Sequence, residues 1–190
     1  MKTAPTRKLF AYWNARRGSR LAPERGDIEP GAIRDILGDS FIITFDAEAG
    51  HPFRLAGTRV GSPVGRELRG EPFVRLWDQE SSEVVNALVG TVADEAVAVV
   101  GGAVARTAEG SRADLELLLL PLYHRGRTHV RLLGVLAPVV APYWLGTEHV
   151  ATLSLGTLRH LGPVVERLSI PRIAAADGRP RLTVYDGGRN

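Results

Sequence analysis

The chain has 190 residues, 44% of them hydrophobic and 24% charged, which suits a single domain with a real core and terminal extensions. It has no cysteine, which excludes disulfides, thiolate metal sites, cysteine nucleophiles and thioether-linked cofactors. The formal net charge is only +3, and the basic residues are scattered among acids rather than gathered on one stretch, so nucleic acid is not an expected partner.

In chain order, the spacing of Leu9, Tyr12, Trp13 and Arg16 predicts a helix from about Thr6 to Arg17, with Gly18 as its stop. A second short helix is expected before Gly38: Asp27 and Glu29 suit its start, Pro30 its first turn, and Ile33, Ile36 and Leu37 its apolar face. The period then changes. Phe41, Ile43 and Phe45 alternate with Ile42 and Thr44, and a turn at Gly50–Pro52 leads into Phe53–Thr58, which reads as a first hairpin. Residues Arg59–Gly70 hold several glycines and a proline, so any helix there is short and irregular.

A better helix occupies Asp78–Glu95, capped by Asp78, Ser81 or Ser82, with Val84, Val85, Leu88, Val89 and Val92 as its stripe. The strand expected over Ala96–Thr107 carries Gly101-Gly102, a signal for a bulge or a close backbone approach. Arg112–Val140 then forms the centre of the fold. Leu115–Leu120 is nearly continuous leucine and Val130–Leu136 is almost as apolar, so this second hairpin needs cover on both faces. The inserted helices can serve one face and the N-terminal helices the other. Tyr143–Leu168 is expected to be a further helix, capped by Thr147, with Val150, Leu153, Leu155, Leu158 and Leu161 as apolar surface. Arg181–Tyr185 reads as strand-like, within a tail either disordered or paired onto a neighbour. The expected fold class is α+β, divided into an N-terminal helical extension (1–38), a core (39–140) and a C-terminal helix with tail (141–190).

Four groups of residues carry a resemblance. They are Tyr12-Trp13 with Arg17-Gly18, Leu21-Ala22-Pro23-Glu24-Arg25 and Asp27-Ile28; Phe53-Arg54-Leu55-Ala56-Gly57-Thr58; Gly65-Arg66-Glu67-Leu68-Arg69-Gly70; and Leu76-Trp77. In this order and spacing the chain resembles a PAS domain, of a bacterial group with an N-terminal helical extension, over about Leu9–Val139. The resemblance implies a five-stranded antiparallel sheet, inserted short helices on one face, a pocket between the two, and a role in signal transduction or protein–protein interaction. It implies no particular ligand.

Chemistry must therefore come from the residues themselves. The flavin adduct of a photosensor needs a cysteine, which is absent. The pocket helix Asp78–Glu95 carries neither His nor Met to ligate haem, His124 and His129 flank a turn, and His51, His149 and His160 lie apart, so no cofactor and no metal are expected. Ser81, Ser82 and Ser111 read as cap and turn residues and no phosphate loop occurs, so no enzyme is expected. A binding pocket remains. Its candidate polar residues are Arg54, Arg75, Tyr123 and Arg131, suited to a carboxylate or phosphate unless they pair with Glu67, Glu71 or Glu116. Its candidate apolar lining is Phe53, Leu55, Trp77, Leu88, Leu117 and Leu132, with the register of the second hairpin deciding which leucines face inward.

The expected function is thus a stand-alone sensory module that binds a small-molecule ligand and acts on a signalling protein; the alternative is a ligand-free dimerisation module. A homodimer is the expected assembly. With no long apolar run and no signal-peptide pattern, no membrane partner and a cytoplasmic location are expected.

Overall fold

The leucine run feeds two separate cores by turns. In the computed structural model, which describes residues 1–125, 127–161 and 184–185 (without the side chains of 127–129, 184 and 185), β4 (Arg112–His124) and β5 (Arg127–Pro138) form the central hairpin. Leu115, Leu117, Leu119, Leu132 and Leu136 belong to one buried cluster; Leu118, Leu120, Leu122, Leu133 and Val135 belong to another. Adjacent residues of a strand point to opposite faces, so both faces of this hairpin are dry. His124 pairs with Arg127 across a two-residue loop, and the register shifts between Leu122 and His124.

Around this hairpin the strand order is β2-β1-β5-β4-β3-β6-β7, with β1 (Ser40–Thr44), β2 (Phe53–Ala56), β3 (Ala98–Thr107), β6 (Val150–Leu161) and β7 (Val184–Tyr185). Gly134 stands opposite Phe41 and is required there: a Cβ would come within 2.2 Å of the Phe41 ring. The first cluster is covered by the inserted segment, namely α2 (Thr58–Gly61), two 3-10 turns (Ser62–Val64 and Phe73–Leu76) and α3 (Gln79–Glu95). Asp78 caps α3 by accepting the Ser81 N–H at 2.8 Å, and Val85, Leu88, Val89 and Val92 are buried beneath it.

The second face is covered from the N-terminus. In α1 (Ala4–Arg17), Thr3 is the N-cap, Leu9 and Trp13 are buried, and the Trp13 Nε1–H donates to the Pro121 carbonyl at 2.9 Å. The Glu116 carboxylate reaches the start of this layer, accepting the backbone N–H of Lys2 at 2.7 Å and of Thr3 at 2.8 Å. The second N-terminal helix does not form. Arg25–Asp27, Pro30–Ile33 and Leu37–Asp39 are separate 3-10 turns, because glycines at Gly26, Gly31 and Gly38 break so short a run. Its apolar face still packs as expected: Ile33 and Ile36 are buried against the sheet and Leu37 packs there partly buried, joined by Ile28.

Two expectations are corrected at the C-terminal side. The predicted helix over Tyr143–Leu168 is, through Leu161, a turn followed by strand β6, and the rest of that range lies outside the described residues. The sheet accordingly has six antiparallel strands rather than five, plus the two-residue β7 parallel to β6. The physical reason is the free edge of β3. An unpaired strand edge recruits an extended partner, and Leu153 and Leu155 alternate as a strand requires, opposite Ala105 and Ala103. The expected bulge is present, with the register shifting between Gly101 and Ala103. A Cβ on Gly101 would lie 2.6 Å from Leu158 Cδ2. Of the strand-like tail segment Arg181–Tyr185, Val184 and Tyr185 pair with β6, and the remainder lies outside the described residues.

Two dry faces make two kinds of substitution severe. Leu118→Asp and Leu119→Asp should each abolish or deeply destabilise folding in urea denaturation, since each buries an unpaired charge. Trp13→Ala should cost about 3–5 kcal/mol, the usual range for a large aromatic removed from a core. Glu116 adds a pH dependence. Burial raises its pKa, but the amides of Thr3 and Lys2 outweigh this and hold the carboxyl below its usual 4.5. A lowered folded pKa means that this contribution is complete above the unfolded value and fades as pH falls through the folded one. The acid limb of the stability–pH curve should therefore flatten in Glu116→Gln.

Candidate functional site

The outer edge of the sheet departs from regular pairing. Between β1 and β2 the register steps from Ile42–Leu55 to Ile43–Phe53, so Arg54 has no partner across the ladder. Such a bulge re-aims side chains. Here Phe53 points into the core while the consecutive residues Arg54 and Leu55 are both exposed. Gly57 then lets the chain pass against the N-terminal layer, where a Cβ would lie 2.1 Å from the Leu37 carbonyl oxygen. Arg59 fixes the crossing from the next turn with a bidentate pair to Asp39, at 2.9 and 2.6 Å. Asp39 is only 4% exposed, so this pair is shielded on its acid side.

From there the chain loops outward and back. Gly65 and Gly70 take left-handed backbone angles, φ 73° and 85°, and Leu68 plugs the loop into the core at 2% exposure. Arg66 and Arg69, on either side of Leu68, are left exposed. The loop and the edge of β2 enclose an open cleft of about 470 Å³ whose polar lining includes Arg54, Thr58, Ser62, Arg66, Glu67 and Arg69. Three guanidiniums thus face one glutamate. No ion pair among the described residues involves Arg54, Arg66 or Arg69.

Leu55–Thr58 is also the wall of a second depression, of about 370 Å³, on the N-terminal side of the sheet. Its lining is mostly apolar, with Ile28, Ile33, Leu37, Phe41, Ile42 and Leu133 among the residues. The outer rim of β2 is partly taken by the chain itself: the Phe53 N–H donates to Glu71 O at 2.9 Å, and the Gly70 N–H donates to Phe53 O at 2.8 Å.

The structure separates the residues singled out in the sequence. Phe53, Trp77, Leu88, Leu117 and Leu132 come together in the buried cluster between sheet and α3. Phe41 and Phe73 stack there with centroids 5.4 Å apart, Phe53 meets them edge-to-face at 5.7 and 5.5 Å, and Trp77 adds an edge-to-face contact to Phe73 at 5.7 Å. Arg54 and Leu55 line the open cleft instead, while Arg75 is exposed outside it. Tyr123 packs against the N-terminal cluster, on the opposite face, and Arg131 is half-buried on β5. None of Arg54, Arg75 or Arg131 has an ion pair to Glu67, Glu71 or Glu116. Sequence reading missed Arg66, Arg69 and Ser62. The one available signal was the pair of arginines around a single leucine, bracketed by Gly65 and Gly70.

Two further polar atoms stand out inside the helical face. His51, fully buried in the β1–β2 turn with φ 59°, accepts the Asp46 N–H on Nδ1 at 3.2 Å, and neither its Nε2 nor the Trp77 Nε1 has a hydrogen-bond partner. Burial holds the His51 imidazole below the ordinary histidine range, against the opposing charge of Asp46. The described residues contain no cluster of three or more potential metal ligands, and no described helix is long and apolar enough to cross a membrane.

The segment after the second hairpin touches this region at two points. A Cβ on Gly65 would fall 2.5 Å from the His149 ring, which marks how closely that histidine lies on the cleft loop. At the start of α3, the Ser154 hydroxyl donates to Asp78 at 2.6 Å, the Asp78 N–H donates to Leu153 O at 2.8 Å, and the Leu155 N–H donates to Ser81 Oγ at 2.8 Å.

Comparison with known proteins bears on the whole arrangement. A family model described as "PAS domain" matches residues 1–137. Among solved structures, the chain is similar to the PAS domain of a protein from Colwellia psychrerythraea, at 15% identity and a TM-score of 0.43, covering 58% of this chain and 97% of that one. It is also similar to the PAS domain of an HTR-like protein from Haloarcula marismortui, at 17% identity and a TM-score of 0.38, covering 57% and 90%. No curated protein matches it.

Gly57 is the position on which the cleft's geometry turns. Gly57→Ala should lower stability by about 1–3 kcal/mol, as overpacking against rigid backbone does. Chemical denaturation checks this, with Gly61→Ala as the control, since a Cβ there meets nothing nearer than 3.9 Å.

Proposed function

The chain belongs to the PAS domain family, and from that premise we propose that it is a sensory module that takes up a small anionic ligand in the cleft beside β2. The observation that carries this reading is the convergence of Arg54, Arg66 and Arg69 on one cleft with no ion pair among the described residues. A guanidinium is a rigid fork of donors matched to carboxylate and phosphate oxygens, and three of them around a shared space recruit negative charge. The hydroxyls of Thr58 and Ser62 add neutral donors to the same wall. The cleft is open, so recognition there is weaker and more salt-sensitive than in a closed cavity.

The output of the module is a contact with another protein, a signalling partner or a second copy of this chain. Val140, 77% exposed, and Tyr143, 94% exposed, supply apolar surface for it on the connection between β5 and β6. The same patch supports the second reading, a dimerisation module that needs no ligand, and binding measurements separate the two.

Isothermal titration at low salt with pyrophosphate and citrate as probe anions should show saturable binding. Arg54→Ala and Arg66→Ala should each weaken it about tenfold, equivalent to ~1.4 kcal/mol. Raising the salt to a few hundred millimolar should weaken it further. Wild-type protein that binds neither probe would overturn the ligand reading in favour of the ligand-free module.

A further inference from the structure

The arginine cleft does not stand alone. Its wall, Leu55–Thr58, is shared with the apolar groove running back over Ile33, Leu37, Ile42 and Leu133. Leu55, 49% exposed, lines both depressions. The two differ in chemistry: one presents arginines and hydroxyls, the other is mostly apolar, with Arg25, Ser40 and Thr58 as its polar lining. What joins them is the shared wall, which puts an apolar surface directly beside a cationic one.

We infer that the ligand is an amphipathic anion, an unbranched acyl chain ending in a carboxylate or phosphate, with its head among Arg54, Arg66 and Arg69 and its tail in the groove beneath Leu55. The inference rests on the anion-site reading above and specifies its substrate class. Charge complementarity fixes the sign and position of the head, and the groove fixes the character of the tail. Both volumes, about 470 and 370 Å³, fall in the range of small-molecule sites.

An extended peptide is the obvious rival for an exposed sheet edge. It is disfavoured here because the outward backbone groups of Phe53 are already bonded to Gly70 and Glu71. A peptide adding to β2 would have to displace this loop, together with the buried Leu68 that holds it. A free acyl anion needs no backbone pairing and fits the rim as it stands.

Titration with linear carboxylates from butanoate to dodecanoate, each kept below its micelle concentration, tests the inference on the full chain, with circular dichroism confirming that the fold is intact. Affinity should rise about three- to fourfold for each added methylene, the equivalent of ~0.8 kcal/mol, until the groove is filled. Ile42→Ser, at a residue that lines the groove and not the cleft, should flatten this rise while leaving pyrophosphate binding unchanged. Arg54→Ala should weaken every chain length by a similar factor. Anion binding that depends on Arg54 but not on chain length would overturn the acyl inference and spare the anion site. A chain-length effect indifferent to Arg54 would overturn both the head assignment and the anion site. Binding of none of these anions would sink both, and binding seen only with phosphatidylglycerol vesicles would replace a free ligand by a membrane surface.

Discussion

A strand of consecutive leucines in the middle of a sheet cannot let water reach either face, and the rest of this fold answers that constraint. Leu117 and Leu119 need one roof, and Leu118, Leu120 and Leu122 need another. The two roofs come from different parts of the chain: the insertion between β2 and β3 on one side, the residues before β1 on the other. Each buried leucine contributes about 1.5–3 kcal/mol relative to exposure, so leaving either side open would cost a large part of a typical domain's margin of stability. Polar side chains then act mainly as fasteners between layers. Trp13 to Pro121, Glu116 to the amides of Lys2 and Thr3, and Arg59 to Asp39 each tie a roof to the sheet or to its neighbouring turn.

This explains why the fold was legible in the sequence and the site only partly so. Period, length and apolar content announced β4, β5, α1 and α3, because burial on a stated face is a local, repeated signal. The helix expected over Tyr143–Leu168 failed for a non-local reason. Whether Val150–Leu161 coils or extends depends on a free edge of β3 that only the assembled sheet reveals, and Gly156 in its middle already weakens the helical alternative by about 1 kcal/mol. The short helix before Gly38 failed for a local one, since glycines every five to seven residues leave no room for a stable turn-to-turn ladder.

The site followed the same division. Sequence could nominate Phe53, Trp77, Leu88, Leu117 and Leu132 as apolar and near one another, and the structure does gather them, as aromatic and aliphatic packing between sheet and α3. It could nominate Arg54 but not its companions. Arg66 and Arg69 join it only because a bulge turns Arg54 outward and because Leu68 pins the loop that carries them. Neither event has a periodic signature. The motif Phe53-Arg54-Leu55-Ala56-Gly57-Thr58 thus encodes a change of direction: one residue into the core, two to the surface, and a glycine where backbone meets backbone.

The sixth strand joins these features mechanically. β6 closes the edge of β3, and its Leu153–Leu155 segment is bonded to the capping residues of α3 through Asp78 and Ser81. The Asp78 carboxyl is pushed up by burial, yet the Ser154 hydroxyl and the Ser81 donors together hold it below the usual aspartate range, so the clasp carries a charge-assisted bond at neutral pH. Just before β6, His149 rests on Gly65 of the cleft loop. The segment that leaves the central hairpin is therefore in contact with both walls of the inserted region, the arginine loop and the long helix. The loop around Gly65 cannot shift toward β6 without meeting the His149 ring. The sixth strand and its approach thus touch the inserted region at both the cleft loop and the start of the long helix.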